Sequence, residues 1–255
     1  MSEKAIDYFI SYPKSGRTWV RFMYMTYLEL HFDLVNKNIF DSESELIYYW
    51  QPQWIHCGTA PEEQSPFYAI GSLNFAHLRT CNCIWMARNI YDTLVSLYYH
   101  CLYRDNINYK GSISDFIRHP KYGILKICTF YRAIYEQLFN RSEKVLKISY
   151  EEMMQDRSFI LLKILGYVGL TPNDKYVKIA VEKSSFENMQ NAGNSYAYKK
   201  TFLAPTDIKN KDSYKVRKAE SGNFKDELSK KDIGYIDNVI NIILPNEKER
   251  VTKWN

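Results

Sequence analysis

The stretch Tyr12-Pro13-Lys14-Ser15-Gly16-Arg17-Thr18 sets cations, hydroxyls and a glycine between two apolar runs, Tyr8 to Ser11 and Thr18 to Leu30. That combination can hold an anion. Pro13 stiffens the entry, and Gly16 permits a sharp turn with its amides facing inward. A helix beginning near Thr18 aims its first N–H groups and the positive end of its dipole at the same point. Lys14 adds a full positive charge, while Ser15 and Thr18 add hydroxyl donors. The pattern predicts a site for phosphate or a similar oxyanion, the alternative being a polar turn that binds nothing. The nucleoside-triphosphatase spacing G-x-x-x-x-G-K-[ST] is absent.

A second group lies in Trp85 to His100. Arg88 ends a strand-like run, the place where α/β sheets bind ligands. Ser96 follows on a helix whose first turn lies close to it. An arginine and a hydroxyl converging there suit a phosphate dianion, although an arginine ending a strand also serves as an ordinary surface ion-pair partner.

The elements that must position these groups alternate. Tyr8 to Ser11, Trp54 to Cys57, Cys83 to Ala87 and Lys144 to Ile148 read as strands. Thr18 to Leu30, Thr93 to Tyr103 (with Asp92 as N-cap), Tyr122 to Phe139, Glu151 to Val168 and Asp174 to Lys183 read as helices. The alternation predicts an α/β fold, one domain over residues 1–255, with a parallel β-sheet flanked by helices. Residues 191–215 are polar and lysine-rich, read either as a solvated surface loop or as a mobile lid over a ligand.

Composition narrows the class. Of 255 residues, 45% are hydrophobic and 25% charged, the mix of a globular protein with a real core. A net charge of +5 fits an anionic ligand held locally better than a nucleic-acid footprint. Cys57, Cys81, Cys83, Cys101 and Cys128 show no disulfide-framework or zinc spacing and predict reduced thiols. No metal ligand set, signal peptide or membrane-spanning run is visible, so the sequence predicts a cytoplasmic protein with no membrane or nucleic-acid partner.

With these motifs in order, the chain resembles the cytosolic-type sulfotransferases. Tyr12 to Trp19 is similar to their 5′-phosphosulfate loop, and Arg88 with Ser96 to their 3′-phosphate motif. Ser184-Ser185-Phe186 and Val216 to Ser229 resemble two later motifs, so the likeness runs from about residue 8 to residue 229. It implies a P-loop-like sulfotransferase fold and a donor, 3′-phosphoadenosine 5′-phosphosulfate (PAPS), with PAP as product and no metal. Lys14, Ser15, Gly16, Arg17 and Thr18 would cradle the phosphosulfate. Arg88, Ser96, Arg217, Lys218 and the Ala219 backbone would take the 3′-phosphate, and Trp19, Tyr150, Ser184 and Phe186 would surround the adenine. Three positions depart from the family pattern: Arg17 stands in place of Thr, Ala219 in place of Gly, and Phe224 in place of Trp.

The resemblance implies a histidine base and a lysine at the leaving group. Lys14 fits the second role. His56, ending the Trp54-Ile55 run, is similar to the family's strand-end histidine, and His77 is the alternative. The implied reaction moves a sulfuryl group to a hydroxyl or amine of a small molecule. The competing readings are a nucleotide-binding protein of this fold without catalysis, and an ATP-dependent small-molecule kinase. Loop aromatics and carboxylates, Tyr48, Tyr49, Trp50 and Glu43 among them, leave the acceptor unnamed, and the sequence does not decide between monomer and homodimer.

Overall fold

A computed structural model describes residues 6–34, 52–56, 74–103, 107, 109–194 and 221–252 of the chain. Tyr8–Ser11 is β1, Arg17–His31 α1, Gln53–Ile55 β2, Phe75–Leu78 α2, Cys83–Ala87 β3 and Ile90–Tyr103 α3. Ile113–Arg118 (α4) and Ile124–Gln137 (α5) lead to Val145–Ser149 (β4). Tyr150–Gln155, Arg157–Val168, Asp174–Lys183 and Phe186–Asn194 follow as α6 to α9. Phe224–Glu227, Lys230–Ile243 and Lys248–Thr252 are α10 to α12.

Among the described residues, four strands form one parallel sheet in the order β2–β1–β3–β4. All five residues of β3 are fully buried, as a central parallel strand requires with helices on both faces. Its side chains alternate between two cores. Cys83, Trp85 and Ala87 join Ile10 and residues of α3, α4, α5 and α11, while Ile84 and Met86 join Phe9, α1, α7 and α8. α1 is buried along nearly its whole length, which explains its lack of a polar face. No helix among the described residues is long and apolar enough to cross a membrane.

The register matters most at one edge. Ser11 pairs with Met86, Ile10 with Ile55, and Ala87 with Ser149. The C-terminal ends of all four strands therefore lie side by side, and the residues that follow them meet there.

Several boundaries differ from the sequence expectation, two of them for a visible local reason. α3 begins at Ile90 rather than Thr93, because Asn89 caps it: its side-chain oxygen accepts the Tyr91 and Asp92 amides at 2.9 and 3.3 Å. The helix expected over Glu151 to Val168 is two helices. Asp156 interrupts it with extended backbone and caps the second by accepting the Phe159 amide at 3.0 Å. β2 stops at Ile55, one residue before His56.

Ile84, fully buried at the centre of the sheet, gives the fold a direct test. Ile84→Ala should lower unfolding free energy by about 2–5 kcal/mol, read as a lower urea midpoint at unchanged slope.

Candidate active site

At the end of β1 the chain turns through Tyr12 to Gly16, with the Ser15 amide donating to the Tyr12 carbonyl at 3.3 Å. Lys14 (φ 70°) and Gly16 (φ 97°) are both left-handed. Glycine takes this conformation freely, but lysine does not, and such strain collects at functional sites. Gly16 is also the N-terminal cap of α1 and offers no side-chain cap. The helical ladder starts with the Trp19 and Val20 amides, both on the Gly16 carbonyl, so the Arg17 and Thr18 amides precede it. Gly16 has no room for a side chain: a Cβ there would sit 2.6 Å from the Tyr150 ring and 2.8 Å from the Met86 methyl.

The neighbouring strand ends supply the other groups. His56 follows β2, half-buried, with Nδ1 2.9 Å from the Ser11 carbonyl oxygen. A carbonyl only accepts, so Nδ1 carries the hydrogen, and Nε2 is the basic nitrogen of the neutral ring. Arg88 follows β3. Its Nη1 donates to the Lys14 carbonyl at 2.9 Å, and its guanidinium carbon lies 4.1 Å from the centre of the Tyr150 ring. Tyr131, buried in α5, brackets the Arg88 backbone. Its hydroxyl accepts the Arg88 amide at 3.1 Å and donates to the Arg88 carbonyl at 2.9 Å.

Tyr150 opens α6 directly after β4. The turn is held by a reciprocal capping box, in which Ser149 Oγ accepts the Glu152 amide and the Glu152 carboxylate accepts the Ser149 amide. The next residue, Glu151, is buried and accepts the Asn89 amide at 3.0 Å. Burial pushes its carboxyl up to about 7, against the pull of the Arg88 charge and that hydrogen bond. The Tyr12–Gly16 turn, a histidine and an arginine thus meet along one sheet edge.

A family model for the sulfotransferase domain matches residues 7–254. The chain belongs to the sulfotransferase family.

Among curated relatives it is 24% identical over 201 residues to sulfotransferase 1E1 of Homo sapiens, spanning 71% of this chain and 65% of that protein. It is 27% identical over 154 residues to sulfotransferase 1E1 of Cavia porcellus, spanning 59% and 50%. These matches cover less than two thirds of the relatives' own length. Among solved sulfotransferase structures, mouse SULT7A1 complexed with PAP superposes with a TM-score of 0.63 at 20% identity, covering 99% of this chain and 89% of that one. A retinol dehydratase in complex with androsterone and PAP gives 0.60 at 15% identity, covering 96% and 82%. The fold is the one these proteins share.

The residues expected to hold the donor are distributed over these elements. Lys14 to Thr18, Arg88 and Tyr150 lie at the C-terminal sheet edge or on the loop and helix starts that follow it. Trp19 and Ser184 touch, the indole N–H donating to the Ser184 carbonyl at 2.6 Å, and Phe186 opens α9 beside them. Ser96 is half-buried on α3, one turn beyond Asp92. Arg217, Lys218 and Ala219, and most of the 191–215 stretch, lie outside the described residues. His77 sits at the opposite edge, with Nε2 3.4 Å from the Tyr8 hydroxyl at the start of β1 and 3.5 Å from Cys81 Sγ before β3.

Sequence reading missed Tyr131, Asn89 and Glu151. Asn89 carries a signal in hindsight, an Asn before a helix with Asp at the third position. Tyr131 carries none, being one of two tyrosines in an amphipathic helix.

Gly16→Ala combines a forbidden φ with a steric clash. It should lower the stability by at least about 1 kcal/mol, seen as a Tm fall of roughly 2–4 °C or more in a melting experiment.

Proposed function

We propose that this protein transfers a sulfuryl group from PAPS to a hydroxyl or amine nitrogen of a small molecule. The observation that carries the reading is the meeting, at one sheet edge, of the Lys14–Thr18 turn with His56 on one side and Arg88 on the other. Membership of the sulfotransferase family supports it, as do family structures solved with PAP.

In this reading the loop amides and Lys14 receive the 5′-phosphosulfate, with Arg17 and the Thr18 hydroxyl adding donors. Arg88 and Ser96, joined by Arg217, Lys218 and the Ala219 amide, receive the 3′-phosphate that distinguishes PAPS from ATP. Trp19, Tyr150, Ser184 and Phe186 hold the adenine. The acceptor oxygen or nitrogen attacks sulfur in line. The bond between sulfur and the bridging phosphate oxygen breaks, its electron pair stays on that oxygen, and PAP leaves. Lys14 stabilises the charge growing there. The acceptor proton goes to His56 Nε2, the nitrogen left basic when Nδ1–H is held by the Ser11 carbonyl. Holding both reactants in line supplies most of the remaining acceleration. A cytoplasmic location belongs to the same reading, and a relative from Arabidopsis thaliana is named a cytosolic sulfotransferase.

Calorimetric titration separates this reading from its competitors. PAP should bind at least about a hundredfold more tightly than 5′-AMP or ATP, as two charge-assisted contacts to the 3′-phosphate would give, and Arg88→Ala should remove most of that preference. Equal affinity for ATP would favour a kinase and contradict the proposal.

Transfer itself tests the base. With an acceptor found by screening phenols, alcohols and amines, His56→Ala should slow turnover roughly 10²–10⁴-fold, while His77→Ala stays close to wild type. Tight PAP binding with no transfer to any acceptor class would point to a binding protein that lacks catalysis.

A further inference from the structure

Among the described residues three carboxylates are buried, Asp92, Glu151 and Asp232. Two of them have both oxygens engaged. Asp232 accepts the Ser114 and Ser229 hydroxyls at 2.7 and 2.6 Å and Arg118 Nη1 at 2.6 Å. Asp92 accepts the Gly222 and Phe224 amides at 2.8 and 3.2 Å and the Ser221 hydroxyl at 3.3 Å. Glu151 differs. Its Oε1 accepts the Asn89 amide at 3.0 Å, and its Oε2, equally buried, has no hydrogen-bond partner. A buried charge short of donors is costly, and a proton on the carboxyl removes most of that cost.

The groups around Glu151 come from several elements. At the end of β3, Arg88 immediately precedes the Asn89 amide that Glu151 holds, and its charge favours the ionised carboxyl. On α3, Asp92 opposes ionisation. Tyr131, from α5, is kept neutral by its own burial. On α6 itself, Glu152 pairs with Lys163 at 3.2 Å. α12 reaches the cluster through the Thr252 carbonyl, which accepts the Asn89 side-chain N–H, while its Lys248 faces Asp237 at 3.7 Å. Burial outweighs the Arg88 charge and raises the Glu151 carboxyl to about 7.

In the donor reading above, on which this inference rests, a phosphate lies against Arg88. An ionised Glu151 offsets the charge of that arginine and repels the phosphate, whereas a protonated one does neither. Binding and protonation therefore favour each other, by linkage.

We propose that Glu151 is a proton switch beside the donor site: it takes up a proton from solvent when PAP or PAPS brings phosphate against Arg88, so that donor affinity falls as pH rises through neutrality. Glu151 itself touches no part of the nucleotide. The free protein carries the same signature. A carboxyl raised above its ordinary value of 4.5 adds stability at low pH that is lost as pH climbs from 4.5 to about 7.

The test is calorimetric titration of PAP into wild type and Glu151→Gln, in buffers of different ionisation enthalpy, with the glutamate carboxyl carbons followed by NMR. From about pH 6.5 to about pH 8.5 wild type should lose roughly tenfold in PAP affinity and take up a fraction of a proton on binding. Glu151→Gln should lose most of both effects, the phosphate's own titration being common to the two proteins. One glutamate carboxyl of wild type should titrate near neutrality and move to higher pH when PAP is added. That readout needs no variant, and neither His56 nor the phosphate produces it. Equal proton uptake in the two proteins would overturn the proposal. So would the absence of a glutamate titrating near neutrality, or one that titrates there but does not move with PAP. If that glutamate is found and PAP does not bind, the donor reading has failed, and the linkage falls with it.

Discussion

Arg88 ties three strand ends together. Its guanidinium donates to the Lys14 carbonyl beyond β1, lies over the Tyr150 ring beyond β4, and extends from a backbone that Tyr131 brackets through two hydrogen bonds. Each contact limits the others. The Lys14 backbone is left-handed, a conformation that a non-glycine residue keeps only when its surroundings over-determine it, and the Arg88 bond is one of those determinants. Tyr150 closes against Gly16 so tightly that no side chain fits there. The loop, the arginine and the aromatic ring form one packed unit, shaped before any ligand arrives, which reduces the ordering cost of binding.

This unit sits on a belt of buried polar groups that the sheet alone would not tolerate. Asn89 accepts two α3 amides, gives its own amide to Glu151, and donates its side-chain N–H to the Thr252 carbonyl at 2.7 Å. Asp92 takes three donors from the 221–224 segment. Buried polar groups are costly unless satisfied. Here they join α3 to α6, α10 and α12, elements distant in sequence that all pack beside the β3 end. Burial raises the Glu151 carboxyl to about 7, so its charge beside Arg88 changes with pH around neutrality.

Much of this was legible in the sequence, and the boundary of legibility has a physical basis. The all-apolar run Cys83 to Ala87 reads as a strand, and burial on both faces of the sheet is why it holds no polar residue. The loop from Tyr12 to Thr18 reads as an anion turn because each residue type contributes a local property. Contacts between distant elements could not be read. Nothing in the residues around Tyr131 signals that its hydroxyl brackets the Arg88 backbone, and nothing near Asp92 signals Gly222. The break at Asp156 was hidden because the flanking residues keep a helical pattern through it. His56 and His77 both precede Arg88 in sequence, and only the sheet register separates them, one at each edge.

The most direct test of the shared edge as a donor site is a crystal structure of the protein with PAP. The expected result has the 5′-phosphate within hydrogen-bonding distance of the amides of residues 15 to 18, with the 3′-phosphate against Arg88 and Ser96. His56 Nε2 should face the position that the sulfuryl group would occupy. Nucleotide bound elsewhere, or bound at this edge with its 3′-phosphate in solvent away from Arg88, would contradict the account.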